Sequence, residues 1–257
     1  MGKKEEFYYL ANPFSIDLIT SLSKAIKTFD QRDGYQSGRN NHHLLSPKEK
    51  YISYVSKVHS NLIEVNNQIS YLKIFIRRYP FKQYYTKNGI TEVEYIQYHM
   101  EVLFHKIHTV LEIMKLLLNK VYDLKISDRD CNWITLCKHV DKKELSMKHL
   151  NSFYKTFELI IESRHLSSHR GIFFDEQKNK IEIDLGFSLY KFEHNGYKVD
   201  DETKKIFPLR FIEYEIKQYK KSKVILVEKV VEYKEMILKE FLRSLYPEFI
   251  KQQKLKG

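Results

Sequence analysis

The sequence predicts an all-α protein: four long helices in a bundle, a short helix ahead of them, and a small β-hairpin inserted before the last. Three observations carry this reading. Chain breakers are scarce, with 8 Gly and 5 Pro in 257 residues, so long uninterrupted elements are expected. Apolar residues recur at three- and four-residue steps through four long segments, the spacing of one helix face. Capping-box signals stand at the head of two of those segments, where a hydroxyl and a carboxylate three residues apart satisfy each other's backbone donors.

Residues 1–45 read as a preamble. A helix is predicted over 13–29, with Ile16, Leu18, Ile19, Leu22 and Ile26 apolar, followed by a polar loop over 30–43. The tandem His42-His43 in that loop has no third ligand beside it, and a polar surface accounts for the pair. Residues 46–257 read as the bundle, in one domain with the preamble. Ser46-Pro47-Lys48-Glu49 opens its first helix, predicted over 46–79. Tyr51, Val55, Val58, Leu62, Val65, Ile69, Leu72, Ile76 and Tyr79 alternate in steps of four and three, a heptad seam that Pro80 ends. Thr91-Glu92-Val93-Glu94 opens the second, over 91–122, with an apolar face from Val93 through Met100, Ile107 and Met114 to Val121. Glu94, Glu101, His105, His108 and Glu112 lie opposite that face. Metal ligands of a helical bundle point inward, so this line reads as a solvated face or subunit contact.

A connector with one short helix around Trp133, Ile134 and Leu136 leads to the third long helix, over 146–164. The period then changes. Residues 180–185 alternate polar and apolar, and Asn195-Gly196 is a hairpin turn signal, so a β insertion is predicted over about 172–199. The last helix is predicted over 208–246, with Ile212, Ile216, Tyr219, Leu226, Val230, Tyr233, Ile237 and Phe241 as its stripe. Pro247 stops it and the tail frays.

Charge and composition narrow the function. Lys and Arg total 44 against 33 Asp and Glu, a formal charge of +11, which favours a polyanionic partner such as RNA, or an acidic membrane surface. Solubility alone is the bland alternative. The two cysteines, Cys131 and Cys137, lack metal-ligand spacing and suit a reducing compartment. No apolar run reaches the ~18 residues of a membrane span, and no signal-peptide core is seen, so a cytoplasmic protein without a membrane partner is expected. The chain holds no P-loop, dinucleotide fingerprint or zinc spacing, and neither cofactor nor metal is expected.

One stretch carries chemistry. Leu150, Phe153, Phe157, Ile160 and Ile161 share the inner face of the third long helix, and the same step lands on Arg164. A guanidinium there needs an anion or several acceptors. His169 follows five residues later, and Ser167, Ser168 and Gly171, poor helix formers, would let the chain turn so that the two side chains converge. A fixed cation beside an imidazole suits phosphodiester cleavage: His moves the proton of a ribose 2′-OH and Arg holds the developing charge, without metal. The bland alternative is a helix terminus whose Arg and His cap carbonyls and complement the dipole. One histidine supplies one proton carrier where the reaction needs two, so a two-fold dimer with a shared cleft is expected.

Arg164-His165-Leu166-Ser167-Ser168-His169 resembles the signature of the HEPN superfamily: Arg, a polar residue, three variable residues, then His. The helical layout extends the resemblance over most of the chain. It implies a helical bundle, often dimeric and frequently a metal-independent endoribonuclease. Arg164 and His169 would be its catalytic residues, with His165 and Ser168 supporting them. Arg170, Lys217, Lys220 and Lys221 are candidates for contacting RNA. A toxin or defence effector, restrained by a protein antitoxin or regulator, is one role such an activity admits. The competing readings are a non-catalytic bundle that binds RNA or a partner protein, and an acid–base enzyme acting on a nucleotide.

Overall fold

The structure is a computed structural model that describes residues 11–27, 29–170 and 175–257, with the backbone alone for 165–170. Among the described residues there is no strand, and ten α-helices follow one another. They are α1 (Pro13–Lys27), α2 (Pro47–Phe75), α3 (Lys82–Lys87), α4 (Glu92–Val121) and α5 (Trp133–His139), then α6 (Leu145–Arg170), α7 (Glu176–Ile183), α8 (Leu185–His194), α9 (Asp201–Ile206) and α10 (Leu209–Lys256). The four long helices of the sequence reading are α2, α4, α6 and α10. None of the helices is long and apolar enough to cross a membrane.

Both capping boxes form. Ser46 N–H donates to Glu49 at 2.8 Å and Glu49 N–H to Ser46 Oγ at 3.3 Å, while Thr91 N–H donates to Glu94 at 2.7 Å. The heptad seam of α2 is interior, with Val55, Leu62, Ile69 and Ile76 at 1% exposure or less. The face of α4 from Val93 to Val121 is buried throughout.

The chain divides into two compact units that share the long helices. The first comprises the chain up to Asn66, 109–157 and 232–257. Here Phe14 of α1 meets Phe249 of α10 edge-on at 5.1 Å, and Tyr51 of α2 donates to the carbonyl of Val121 at 2.8 Å. The second comprises 67–108 and 158–231. Its core holds Ile96 and Met100 of α4, Ile161 of α6 and Ile212, Ile216 and Tyr219 of α10. Ion pairs at 2.6 Å fasten its rim, Lys191 to Glu94 and Lys220 to Glu92.

Three expectations are corrected. The predicted β insertion instead holds two helices, α7 and α8, followed by a turn and an irregular stretch over 195–199, while 172–174 lie outside the described residues. Asp175 caps α7 and Asp184 caps α8 through the backbone N–H of Lys178 and Gly186. The alternating residues share no face: Ile181 is buried, but Ile183 and Leu185 are 83% and 67% exposed. Asn195-Gly196 ends a helix instead of turning a hairpin. Gly196 is left-handed at φ +87°, its N–H reaches Glu193 O, and Tyr197 N–H reaches Phe192 O, a Schellman ending.

The second correction is that α10 runs through Pro247 to Lys256. Its apolar face continues past the proline through Leu245 and Phe249, both fully buried. Gln253 to Asp17 at 3.1 Å and Lys256 to Asp123 at 2.6 Å hold the last turns that were expected to fray. The third lies within the stripe of α10. After Val230 the inward position is Lys234, fully buried, and Tyr233 is 49% exposed. A step of four keeps the helical face where the assumed step of three leaves it.

Candidate functional site

Helix α6 positions the motif. Met147, Leu150, Phe153, Phe157 and Ile161 are buried at steps of three and four. Phe157 departs from helical geometry, at φ −112° and ψ 15°, so the helix kinks there with its ring against Phe153 at 4.8 Å. Beyond the kink the buried stripe passes through Ile161 to Arg164, which is half-buried. The Arg164 Nε is shielded from solvent and has no hydrogen-bond partner among the described residues. An N–H in that position costs ~1–3 kcal/mol while unpaired, so the guanidinium is set up to take an anion.

The backbone stays helical from Arg164 to Arg170, which corrects the expected turn at Ser167-Ser168. Serine lowers helix propensity by only ~0.5 kcal/mol, too little to end a helix that continues to hydrogen-bond. Gly171 lies outside the described residues. On a continuous helix, positions five apart are separated by about 140° around the axis. The backbone therefore does not fold Arg164 and His169 toward each other. His165, Ser168, His169 and Arg170 are placed on α6 by their backbone, and their side chains lie outside the described residues.

The lysines of α10 divide. Lys217 and Lys221 are exposed and lie one turn apart. Lys220 is instead held by Glu92 at 2.6 Å, and Lys223 by Asp175 at 2.8 Å over the ring of Tyr219. Of these four, Lys217 and Lys221 are the ones with no ion-pair partner among the described residues. On α4, His105 is exposed and Glu94 is committed to Thr91 and Lys191. Among the described residues no group of three or more His, Cys, Asp or Glu could hold a metal ion.

Two features escaped the sequence. Ser15 Oγ lies 2.9 Å from His59 Nε2, with Asn12 Nδ2 donating to the same hydroxyl at 3.0 Å. The pairing has the form of a nucleophile and its base, but Ser15 and His59 are 0% and 2% exposed. Burial pushes the imidazole pKa down to about 4, so the pair is a sealed structural contact between α1 and α2. Forty-four residues of separation left no local signal for it. The second is an open hollow lined by Lys82, Lys87, Asn195 and Tyr197. Its two sides come from α3 and the end of α8, which no motif connects.

An all-helical chain with Arg, a polar residue, three further residues and His late in a core helix has the layout of a HEPN bundle. The chain matches the HEPN_Cthe2314-like HEPN family over residues 54–240, well over half its length, and belongs to that family. Arg164 to His169 fall inside the match. Searches of curated proteins and of solved structures find no match.

Proposed function

We propose that this protein is a metal-independent endoribonuclease, with Arg164 and His169 at its catalytic centre. The observation that supports this is the Arg164 guanidinium, half-buried with an unpartnered N–H, five residues ahead of His169 on one helix of a HEPN chain. His169 takes the proton of a ribose 2′-OH as the oxygen attacks the adjacent phosphorus. The new P–O2′ bond forms as the P–O5′ bond breaks, and an imidazolium protonates the departing 5′ oxygen. Arg164 forks onto the non-bridging oxygens, where negative charge builds. The products are a 2′,3′-cyclic phosphate and a 5′-hydroxyl end.

The two proton transfers occur on opposite sides of the phosphorus, and one chain brings one histidine of the motif. A symmetric dimer with one shared cleft supplies both, and it also answers the separation of Arg164 and His169 around α6. His165 and Ser168 would support the cleft, while Arg170, Lys217 and Lys221 would contact flanking phosphates. Incubation with total RNA in excess chelator tests the reading. Wild-type protein should leave 5′-hydroxyl ends and the His169→Ala variant should leave RNA intact. Intact RNA with both proteins would favour the non-catalytic binding bundle. A toxin or defence role belongs to the same proposal: expression of wild-type but not His169→Ala protein should arrest growth, and a cognate antitoxin should relieve the arrest.

A further inference from the structure

We propose that the hollow between α3 and the end of α8 binds a segment of single-stranded RNA. One base would stack on Tyr197, and the adjoining phosphates would be held by Lys82 and Lys87. The inference deepens the ribonuclease reading by naming its substrate class and a binding site on the second unit, and it rests on that reading only for what happens after binding.

The hollow is open, about 690 Å³, and no carboxylate lines it. Lys82 and Lys87 are exposed and have no ion-pair partner among the described residues. Three carboxylates of the adjoining helices are engaged elsewhere, Glu92 by Lys220, Glu94 by Lys191 and Glu193 by Lys204, each at 2.6 Å. The two lysines thus leave positive charge unanswered along the hollow. A polyanion fits it and an acid-free lining offers nothing to a basic partner.

Aromatic surface accompanies the charge. Tyr197 rests one face on Phe192, with ring centroids 4.5 Å apart, and is still 57% exposed. The contact with Phe192 is the apolar contact of the Schellman ending, which holds the ring rigid and its other face free. Phe81, next to Lys82, is 76% exposed and is held left-handed at φ +56°. That conformation costs a bulky residue ~1–2 kcal/mol, and an exposed ring returns little of it through burial. Stability does not account for Phe81, whereas presenting a π-face does. Exposed rings beside cations are the means by which unpaired bases are gripped without sequence preference. A duplex keeps its bases stacked and offers those rings nothing.

The test uses the full chain with His169→Ala, so that RNA survives, and a fluorescent single strand of about twelve nucleotides, read by anisotropy across a salt series. Tyr197→Ala should weaken binding about tenfold or more and Tyr197→Phe should preserve it. Lys82→Gln with Lys87→Gln should lower the log–log salt slope by about 1.4, the share of two phosphate contacts on a single strand. The same sequence as a duplex should bind more weakly. Unchanged affinity in Tyr197→Ala, an unchanged salt slope, equal or tighter duplex binding, or no RNA binding at all would each overturn the proposal. The two readings fail separately. Tyr197-dependent binding by a wild-type protein that cleaves nothing upholds the hollow against the nuclease, and cleavage with Tyr197-independent binding does the reverse.

Discussion

Arg164 is where structure and chemistry make opposite demands. A structural arginine would be surrounded by acceptors, and its removal would leave them unpaired and destabilise the fold. Arg164 has a shielded Nε with no partner among the described residues, so its desolvation is uncompensated and its removal should not harm stability. We predict that Arg164→Met leaves the melting temperature unchanged or raised while cleavage falls at least about a hundredfold. Arg164→Lys keeps the charge but not the fork and should recover little of the loss. A large drop in melting temperature would assign Arg164 to the fold instead. His59 makes the converse case, a histidine with a catalytic-looking partner and a structural role. Burial lowers its pKa from 6.5 to about 4, so the unfolded chain takes up the proton first. Its neutral form supports the fold fully above pH ~6.5, and stability falls as pH drops toward 4, by about 3 kcal/mol at most. Glu49, held at about 2 by Arg32, loses its contribution only in the lower window from 4.5 downward. Thermal melts at pH ~7 and ~4.5 should show a smaller pH loss for His59→Gln than for wild type; equal losses would remove His59 from the account. The sequence shows Arg164 through its place on a periodic stripe, but not His59, whose role depends on a contact across two helices.

At the scale of elements, what was legible was local and what was not was tertiary. The capping boxes at Ser46 and Thr91 are four-residue signals, and they formed where they stood. The seam of α2 and the face of α4 are single-helix periodicities; the face of α4 is buried throughout, and the seam is buried at Tyr51, Val55, Leu62, Ile69, Leu72 and Ile76 and half-buried at Val58, Val65 and Tyr79. Residues 180–185 misled because a period of two over six residues also arises where one helix ends and the next begins. Asp175 and Asp184 were the discriminating signal, since each is an N-cap and a strand needs neither. Pro247 misled in another way. A proline inside a helix costs ~3 kcal/mol, yet burial of Phe249 returns a comparable amount, and two side-chain ties add to it. Truncation after Tyr246 is the measurement that weighs these effects. If Pro247 marked a frayed tail, the shortened chain would melt like the full one. We predict a loss of ~3–5 kcal/mol, the range for emptying a buried phenylalanine site, because Phe249 is fully buried against Phe14 and Tyr51.

For the whole molecule the net charge of +11 and the single copy of the motif point the same way. Like charges repel, so pairing two such chains without a ligand must be driven by an apolar interface, and RNA in the shared groove then relieves the repulsion. Dimer formation and RNA binding should therefore reinforce each other, most clearly at low salt. Chelator should change neither the cleavage rate nor its pH profile, which should turn in the imidazole range, about 6–7.5. The shared cleft itself has a sharper consequence. If both histidines act on one phosphate, a dimer of one wild-type and one His169→Ala chain retains a base or an acid but never both. Random mixing then leaves active only the dimers with two intact chains, and their number scales as the square of the wild-type fraction. If each chain works alone, the loss is linear. Subunits are mixed under conditions that exchange them, total protein is held constant, and cleavage is followed in chelator. A quadratic fall is expected, and a linear fall would discard the shared cleft while leaving Arg164 and His169 as a site within one chain.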